Sequence, residues 1–387
     1  MQFATRMDRL GTESAFEVLA KAKQLEAQGC KIIHLEIGQP DFPTPPHICQ
    51  AAFQAMQDGY TGYTPAAGLL VLRETIAEHI SQTRGVEIHP DEVVVTPGAK
   101  SIIFFTILAL VNVGDEVIYP NPGFPTYRSV INFVEGKAIS LPLIEEENFC
   151  FRKEDLEILV SDRTRLFILN SPHNPTGGFL NRADLQAIAE LANKYDFYIL
   201  ADEIYSRLLY DASHQSIISI PNMKERTILI DGYSKTYAMT GWRLGYGVAP
   251  KAIAKKIEQL TINSNSCTCA FTQIAGVKAL KSSQDFVVQM REEFRKRRDV
   301  IVEGLNRIQG VHCLKPSGAF YVFPNVKNLP LDSQNLADYL LEEAGIALLP
   351  GTAFGEFGTG YLRLSYANSL NNIQDAIDRL KIAIEKL

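Results

Sequence analysis

The sequence lacks the features of a membrane protein, a disulfide-rich secreted protein or a nucleic-acid-binding protein. Its longest apolar run, residues 102–111, is interrupted by Thr106 and is too short to span a bilayer. Six cysteines are spread over 387 residues, and the net charge is −6 without a basic stripe. No repeat or low-complexity segment is present. We therefore expect a cytoplasmic protein that binds neither a membrane nor nucleic acid.

Histidine and cysteine are too scattered to indicate a metal site. Cys267 and Cys269 form a Cys-x-Cys pair, but no second pair or nearby histidine completes a tetrahedral set of ligands. His173 is the one histidine beside a motif, and its neighbours explain it better than a metal does. We predict free thiols in a reducing compartment and no bound metal.

Length and strand spacing predict an α/β protein of two domains. Short β-branched runs alternate with helical patterns in the middle of the chain, which is typical of a mostly parallel sheet. The predicted strands are 93–96, 117–119, 166–170, 197–201, 227–230 and 244–248. Helices are predicted at 101–111 and 182–195, and Asn181 is the expected N-cap of the second.

The pattern changes after about residue 285, where a charged helix at 291–308 leads into the strand SGAFYVF. A helix at 334–344, a strand at 361–365 and an amphipathic helix from Leu370 follow. We predict a smaller α+β domain formed by residues 1–46 and 282–387, to which a helix at 16–28 belongs. The large domain is then 47–281.

Lys235 lies in the segment SKTYAMTGWRLGYG, eight residues before Arg243. A lysine amine with a lowered pKa condenses with carbonyl groups. An arginine surrounded by glycines suits a phosphate, because the backbone can approach the ligand closely. Most single lysines are solvated, so this segment alone favours no function.

Two further segments follow predicted strands, where open α/β sheets place their ligands. The backbone N–H groups of Ala99 and Lys100 in TPGAK begin a helix and suit a phosphate, although a simple strand–turn–helix connection explains them too. Asn174 in SPHNPTGG precedes a proline, so an extended backbone can direct its amide into a cleft; a plain turn remains the alternative.

Asp202 and Arg363 are ambiguous in the same way. Asp202 follows directly after a predicted strand and is either a helix N-cap or a buried counter-ion, with Tyr205 on the same side of a helical turn. Arg363 lies within a strand and either covers the sheet with its stem or binds a carboxylate through two hydrogen bonds. An amine, phosphate anchors, a carboxylate, a phenol, an amide and a carboxylate-binding arginine are the set that pyridoxal phosphate requires for an amino-acid substrate.

The chain resembles the class I/II aminotransferases of fold type I, and within them the bacterial subgroup of aspartate and aromatic aminotransferases. The match extends over nearly the whole chain. It includes EIGQPDFPTP, TPGAK, YPNPGFPTY, NSPHNPTGG, ADEIYSRLLY, GYSKTYAMTGWRLGY, PSGAFYVF, PGTAFG and LRLSYANS, in this order. The resemblance implies a large domain with a mostly parallel seven-stranded sheet between helices, a smaller α+β domain, and the cofactor pyridoxal 5′-phosphate.

The resemblance also implies roles at the cofactor ring. Lys235 would bind the cofactor through a Schiff base and transfer protons, and Asp202 would pair with the pyridine nitrogen. Asn174 and Tyr205 would bond the ring hydroxyl. Phe124 would stack on the ring face.

The resemblance further implies which residues would bind the phosphate of the cofactor. These are Ala99, Lys100, Ser234 and Arg243, together with Tyr63 from the neighbouring subunit of a homodimer.

For the substrate, the resemblance implies that Arg363, the backbone of Gly38 and Asn174 hold the α-carboxylate. Lys100 matches the place where some aspartate-using relatives bind a distal carboxylate. Phe124 replaces a tryptophan of aspartate-specialised members, and Phe16 replaces a small polar residue. The substrates implied are an L-amino acid (aspartate, glutamate, an aromatic one or a broad range) and a 2-oxo acid such as 2-oxoglutarate.

One departure concerns the phosphate, because Gly232 stands where many relatives have a phosphate-binding serine. Two alternatives to an aminotransferase remain at the level of sequence. One is a lyase on the same scaffold, of the carbon–sulfur β-lyase or cyclopropane-forming type. The other is a non-catalytic regulator, which is disfavoured because Lys235, Asp202, Arg243 and Arg363 are all present and about 46 residues precede the large domain.

Overall fold

The computed structural model describes residues 3–387 and contains twelve α-helices and twelve strands in that range. The helices are α1 (Ser14–Ala27), α2 (Pro46–Gln57), α3 (Leu70–Arg84), α4 (Lys100–Leu110), α5 (Thr126–Phe133), α6 (Lys153–Leu159), α7 (Arg182–Tyr195), α8 (Lys251–Ser264), α9 (Ala270–Lys281), α10 (Asp285–Leu305), α11 (Ser333–Ala344) and α12 (Leu370–Ile384). The strands are β1 (Ile33–His34), β2 (Val93–Thr96), β3 (Glu116–Asn121), β4 (Lys137–Pro142), β5 (Thr164–Asn170), β6 (Tyr198–Asp202), β7 (Thr227–Gly232), β8 (Gly245–Val248), β9 (Tyr321–Val322), β10 (Ile346–Ala347), β11 (Leu349–Pro350) and β12 (Leu362–Ser365).

A seven-stranded sheet in the order β2-β8-β7-β6-β5-β3-β4 forms the centre of the fold. Strand β8 runs antiparallel to both of its neighbours, and the other strands are parallel to one another. Its inner strands are continuous apolar runs because helices cover both faces of such a sheet. The predicted α/β fold with a mostly parallel seven-stranded sheet is therefore confirmed. Strand β4 was not predicted by residue pattern; it is an edge strand and is partly exposed.

The carboxyl ends of β2, β5, β6 and β7 lie at one edge of this sheet, since these strands are parallel. The predicted motifs TPGAK, SPHNPTGG, DEIY and GYSK follow these four strands in that order. Helix α7 begins as predicted, because the side chain of Asn181 accepts hydrogen bonds from the N–H groups of Ala183 and Asp184. The local sequence thus places the motif residues where such sheets bind ligands.

The remaining strands form a second layer next to this edge. Strands β11, β12 and β9 make a three-stranded antiparallel sheet, and β1 pairs with β10 in parallel. Their core includes Phe294, Phe320 and Tyr366, packed with α10, α11 and α12. Ile204 and Tyr205, which follow β6, belong to the same core, so the second layer contacts the ligand edge of the large sheet.

A buried ionic cluster connects β6 and β7 just beyond that edge. Arg84 Nε donates to Glu203 at 2.8 Å, and Arg84 Nη2 lies 3.4 Å from Asp231. His214 Nε2 lies 2.8 Å from Glu203. Burial alone would raise the pKa of Glu203, but His214 and Arg84 lower it to about 2, whereas burial raises the pKa of Asp231 to about 6. The cluster fixes the backbone next to Asp202 and to the loop that leads to Lys235.

Candidate active site

A cavity of 490 Å³ lies at the carboxyl edge of the large sheet, against the second layer. Apart from Tyr63, every residue predicted for the site lines it. They are Gly38, Ala99, Lys100, Phe124, Asn174, Asp202, Tyr205, Ser234, Lys235, Arg243 and Arg363. Residues more than 300 positions apart in the sequence therefore face one space.

The amine of Lys235 is directed into this cavity. Its Nζ donates a hydrogen bond to the backbone carbonyl of Gly38 and lies 5.9 Å from the ring centre of Tyr205. Burial lowers the pKa of Lys235 to about 8, and the positive charges of Arg363 and Arg243 add to this effect. An amine with this pKa has a larger neutral, nucleophilic fraction at physiological pH than a solvated lysine.

Asp202 ends β6 as a buried carboxylate. Its Oδ2 accepts a hydrogen bond from the Tyr127 hydroxyl at 2.7 Å, and its Oδ1 accepts one from the N–H of Ile204 at 3.3 Å. A turn follows β6 here, so Asp202 does not cap an α-helix. Burial raises its pKa to about 6, against the opposing effects of Tyr127, Ile204 and the Lys235 charge. The carboxylate is largely ionised at neutral pH and suits a cationic nitrogen.

Asn174 and Tyr205 present an amide and a phenol to the same cavity. The N–H of Asn174 donates to Asn170 Oδ1 at 2.9 Å, which fixes the loop after β5. Its side-chain Oδ1 is buried and has no hydrogen-bond partner within residues 3–387. The Tyr205 hydroxyl lies 2.8 Å from that of Tyr321, and burial raises the Tyr205 pKa well above its ordinary value. This buried amide oxygen is an acceptor, which a donor from a ligand or a water in the cavity can satisfy.

Arg243 and the start of α4 form a cationic end of the cavity. Arg243 has a left-handed backbone (φ 53°), and its Nη1 donates to the Thr240 carbonyl at 2.8 Å. Gly98 beside it has φ 85°, a left-handed backbone that favours glycine, and a Cβ there would displace the Arg243 guanidinium, whose Nη2 would lie 2.1 Å away. Ala99 and Lys100 then begin α4, where the N–H groups and helix dipole favour an anion.

Gly232 lies in close packing between β7 and β8. A Cβ at this position would lie 3.1 Å from the Gly245 Cα and 3.3 Å from Ile204 Cδ1, closer than most real Cβ contacts. Adjacent strands β7 and β8 therefore approach each other without a side chain here. Ser234 lines the cavity two residues later and is the nearby hydroxyl.

Arg363 on β12 is a buried cation without an ion pair among the residues that the structure describes. Its guanidinium donates to the Glu36 carbonyl and lies 4.6 Å from the ring centre of Tyr321 and 5.1 Å from that of Phe354. Its Nε has no hydrogen-bond partner in the described part of the chain. Burial lowers the pKa of Arg363. Buried arginine with unused donors is suited to a planar carboxylate from a ligand.

The remaining wall of the cavity contains Phe124, Lys100 and the N-terminal segment. Lys100 Nζ lies 5.2 Å from the ring centre of Phe124 and pairs with the carboxylate of Glu13. Phe16 also lines the cavity, although 62% of its surface is exposed. Tyr63 is 93% exposed and lies outside the cavity lining of this single chain.

A buried lysine, a buried carboxylate, an unpartnered amide and two separated anion sites fit pyridoxal phosphate and an amino-acid substrate. The family model for aminotransferase class I and II matches residues 30–380. The chain belongs to this family. It is a pyridoxal-phosphate-dependent aminotransferase, and the lyase alternative is not favoured.

Relatives of this aminotransferase match over almost their full lengths. A probable aspartate/prephenate aminotransferase of Aquifex aeolicus is 40% identical, with 99% of each chain covered. Aromatic-amino-acid aminotransferase 2 of Thermococcus litoralis is 38% identical over 93% of this chain and 94% of its own. The structure of aspartate aminotransferase from Thermus thermophilus with maleate is 36% identical, covers 99% of this chain and 100% of its own, and has a TM-score of 0.95.

Several residues that line the aminotransferase site were not predicted from the sequence, and Glu13, Tyr127 and Tyr321 are the three whose polar groups contact predicted site residues. Tyr127 lies in the segment YPNPGFPTY and Tyr321 in PSGAFYVF, so both belong to segments that match the family, although the sequence gave neither tyrosine a role.

None of the helices within residues 3–387 has the length and apolar character of a membrane span. Within the same range, no three His, Cys, Asp or Glu residues are grouped so that they would hold a metal ion.

Proposed function

We propose that this aminotransferase moves the amino group of an L-amino acid, with an acidic or aromatic side chain, to a 2-oxo acid such as 2-oxoglutarate. The observation that carries the proposal is Arg363, a buried cation with unused donors in the same cavity as the Lys235 amine. An α-carboxylate bound to Arg363 places the α-amino group in the space that Lys235 faces. Bidentate binding then fixes the orientation of the substrate Cα.

Different cavity residues would contact the phosphate, the ring face, the ring hydroxyl and the ring nitrogen of the cofactor. Arg243, the N–H groups of Ala99 and Lys100, and Ser234 would bind its phosphate, and Phe124 would lie against its ring. Asn174 and Tyr205 would donate hydrogen bonds to the ring hydroxyl, with the Tyr205–Tyr321 contact holding the phenol in place. Asp202 would hold a proton on the ring nitrogen.

Pyridoxal phosphate, when bound, supplies an aldehyde that captures amino groups and a protonated ring that withdraws electrons. Lys235 Nζ would hold that aldehyde until a substrate amine replaces it, and would then move a proton from and to the substrate Cα. Its pKa of about 8 suits both tasks, since the neutral amine is accessible near neutral pH. Arg363, the backbone N–H of Gly38 and the amide N–H of Asn174 would keep the α-carboxylate in place throughout.

The range of substrates depends on the part of the cavity that would receive the side chain of the substrate. Lys100 offers a cation for a distal carboxylate, while Phe124 and Phe16 offer apolar surface for an aromatic ring. The names of the similar enzymes from Aquifex aeolicus and Thermococcus litoralis include aspartate, prephenate and aromatic amino acids. Both observations support a range that includes acidic and aromatic side chains.

The test is a half-reaction screen. We expect the absorption of the enzyme-bound cofactor to change to that of the amino form on mixing with aspartate, glutamate, phenylalanine or tyrosine. 2-Oxoglutarate should restore the original spectrum. Release of pyruvate and ammonia from a cysteine conjugate, without this reversible change for any of the four donors, would contradict the proposal and favour a lyase. Alanine and lysine serve as comparison donors, because neither side chain offers a carboxylate to Lys100 or an aromatic ring to the two phenylalanines.

We also propose a homodimer in which Tyr63 reaches the phosphate site of the partner. Tyr63 is 93% exposed, and Phe53, Met56 and Tyr60 on and after α2 expose 51%, 41% and 42% of their surfaces nearby in the sequence. Exposed apolar residues in such numbers mark interaction surfaces. Sedimentation should give twice the 43.1 kDa chain mass, and Tyr63→Ala should weaken cofactor binding. A monomer that retains cofactor normally would contradict both parts.

Two further proposals concern organisation and location. We propose a large domain at 47–281 and a small one formed by 1–46 and 282–387, supported by the separate sheets; Met1 and Gln2 lie outside the described residues. Protease cleavage confined to positions far from 46 and 282 would count against these limits.

We propose a cytoplasmic location because all six thiols are free, which fits a reducing compartment. Finding disulfides in the purified native protein would contradict it.

A further inference from the structure

Glu13 contributes a carboxylate to the cavity from the N-terminal segment. It occupies the N-cap position of α1, yet its side chain makes no capping hydrogen bond to that helix. Its Oε1 instead pairs with Lys100 Nζ and accepts a hydrogen bond from Thr126 Oγ1 at 3.3 Å. Acidic side chains at a helix start normally stabilise the helix end, so the direction of this one is set by its contacts in the cavity.

The segment before Glu13 is attached to α5 and the turn after it. The N–H of Gly11 donates to Ser129 Oγ at 2.8 Å, and Arg9 pairs with Glu135 at 3.0 Å. These contacts hold the backbone on either side of Leu10 against α5. Glu13 is therefore held at the cavity wall by its own segment as well as by Lys100.

The charges of the cavity identify what Glu13 neutralises. In the function proposed above, Arg243 binds the phosphate of the cofactor and Arg363 binds the α-carboxylate of the substrate. The side chain of Lys100 is then the cation left for the substrate side chain. Glu13 offsets part of that charge, since the two groups form a direct ion pair in which 22% of the Glu13 side chain and 46% of the Lys100 side chain are exposed.

We propose that Glu13 is a specificity-determining residue of the amino-transfer reaction. Its carboxylate occupies, on Lys100, the position that a distal carboxylate of an acidic substrate would take. Glu13 therefore lowers the preference for dicarboxylic over neutral aromatic amino acids. An acidic substrate has to displace Glu13, whereas an aromatic one lies against Phe16 and Phe124 with the pair intact. The inference rests on the proposed function, because it assigns the substrate side chain to this wall.

The first test compares Glu13→Gln with wild-type holoenzyme in half-reactions with aspartate and phenylalanine. We expect the ratio of kcat/KM for aspartate to that for phenylalanine to rise about tenfold, as expected for freeing one partly screened cation. Both substrates carry the α-carboxylate, so any effect of Glu13 on Arg363 cancels in the ratio. Glu17→Gln is the matched control, because it removes a negative charge from α1 outside the cavity lining and should leave the ratio unchanged.

The second part repeats the change in a Lys100→Met background. The increase should disappear there, because Glu13 acts through Lys100. An unchanged or lower ratio for Glu13→Gln, or an equal increase in the Lys100→Met background, would overturn the proposal. A wild-type enzyme that gives no reversible half-reaction at all would instead overturn the proposed function, so the two failures are distinguishable.

A binding measurement provides a readout that does not depend on turnover. Succinate and 3-phenylpropionate share one carboxylate for Arg363 and differ in the group that reaches Lys100. Calorimetric titration of the holoenzyme should show that Glu13→Gln tightens succinate binding about tenfold relative to 3-phenylpropionate. Equal changes for both ligands would assign Glu13 a structural role and contradict its role in specificity.

Discussion

Replacing Lys235 with alanine is expected to lower the rate of amino transfer by at least about 10⁴-fold, because the covalent nucleophile and the proton carrier are lost together. The cofactor should remain in the protein without a covalent bond, since Arg243, Asn174 and Asp202 still line the cavity. Stopped-flow half-reactions measure the rate. Borohydride reduction followed by mass spectrometry detects a cofactor adduct on the peptide that contains residue 235.

Two controls separate chemistry from charge. Lys235→Arg keeps a cation in the cavity but offers no nucleophilic amine, so it should be as inactive as Lys235→Ala. Lys256→Ala removes an exposed lysine of α8 and should retain full activity. A Lys235→Ala variant that still forms a reducible adduct and transfers amino groups at the wild-type rate would disprove the assignment of this lysine.

Most of the site residues that the sequence predicts correctly are placed by the direction of the strands in the large sheet. Asp202 ends a strand of the parallel sheet and Lys235 and Asn174 follow two others, and strand ends of one direction meet at one edge. A motif next to a strand therefore predicts location without any knowledge of long-range contacts. Arg363 was harder to interpret, because its unused donors become evident only when the second layer buries it.

The contacts between side chains were beyond prediction, since they join residues distant in the sequence. Glu13 and Lys100 are 87 positions apart, and the hydroxyls of Tyr205 and Tyr321 are 116 apart. The position of Glu13 at a helix start favours a capping role, which its tertiary contacts override. Strand β4 was missed for a related reason, because an edge strand that is partly exposed lacks the continuous apolar run of its neighbours.

Asp202→Asn is expected to reduce the half-reaction rate by about 10³-fold, comparable to the loss of one preorganised electrostatic group in an active site. Asp202 would hold a proton on the ring nitrogen, and a neutral amide cannot stabilise that cation in a buried site. Its carboxylate has a pKa of about 6 and is largely ionised at neutral pH. Single-turnover rates with aspartate measure the loss, while reduction of the Lys235 adduct checks that the cofactor is still attached.

Tyr127→Phe is the graded comparison for Asp202→Asn, because it removes the 2.7 Å hydrogen bond to Asp202 and keeps the carboxylate. The Tyr127 hydroxyl lowers the pKa of Asp202, so its loss should raise that pKa. The carboxylate is charged above its pKa, and activity should therefore decline at a higher pH in Tyr127→Phe than in wild type as the solution is acidified. We expect a loss of about tenfold at neutral pH, which is close to the lower limit of about 1.5 kcal/mol for a hydrogen bond to a charged group. If Asp202→Asn retained activity within tenfold of wild type, the ring nitrogen would not depend on Asp202 for its proton, and the shift in Tyr127→Phe would have no basis.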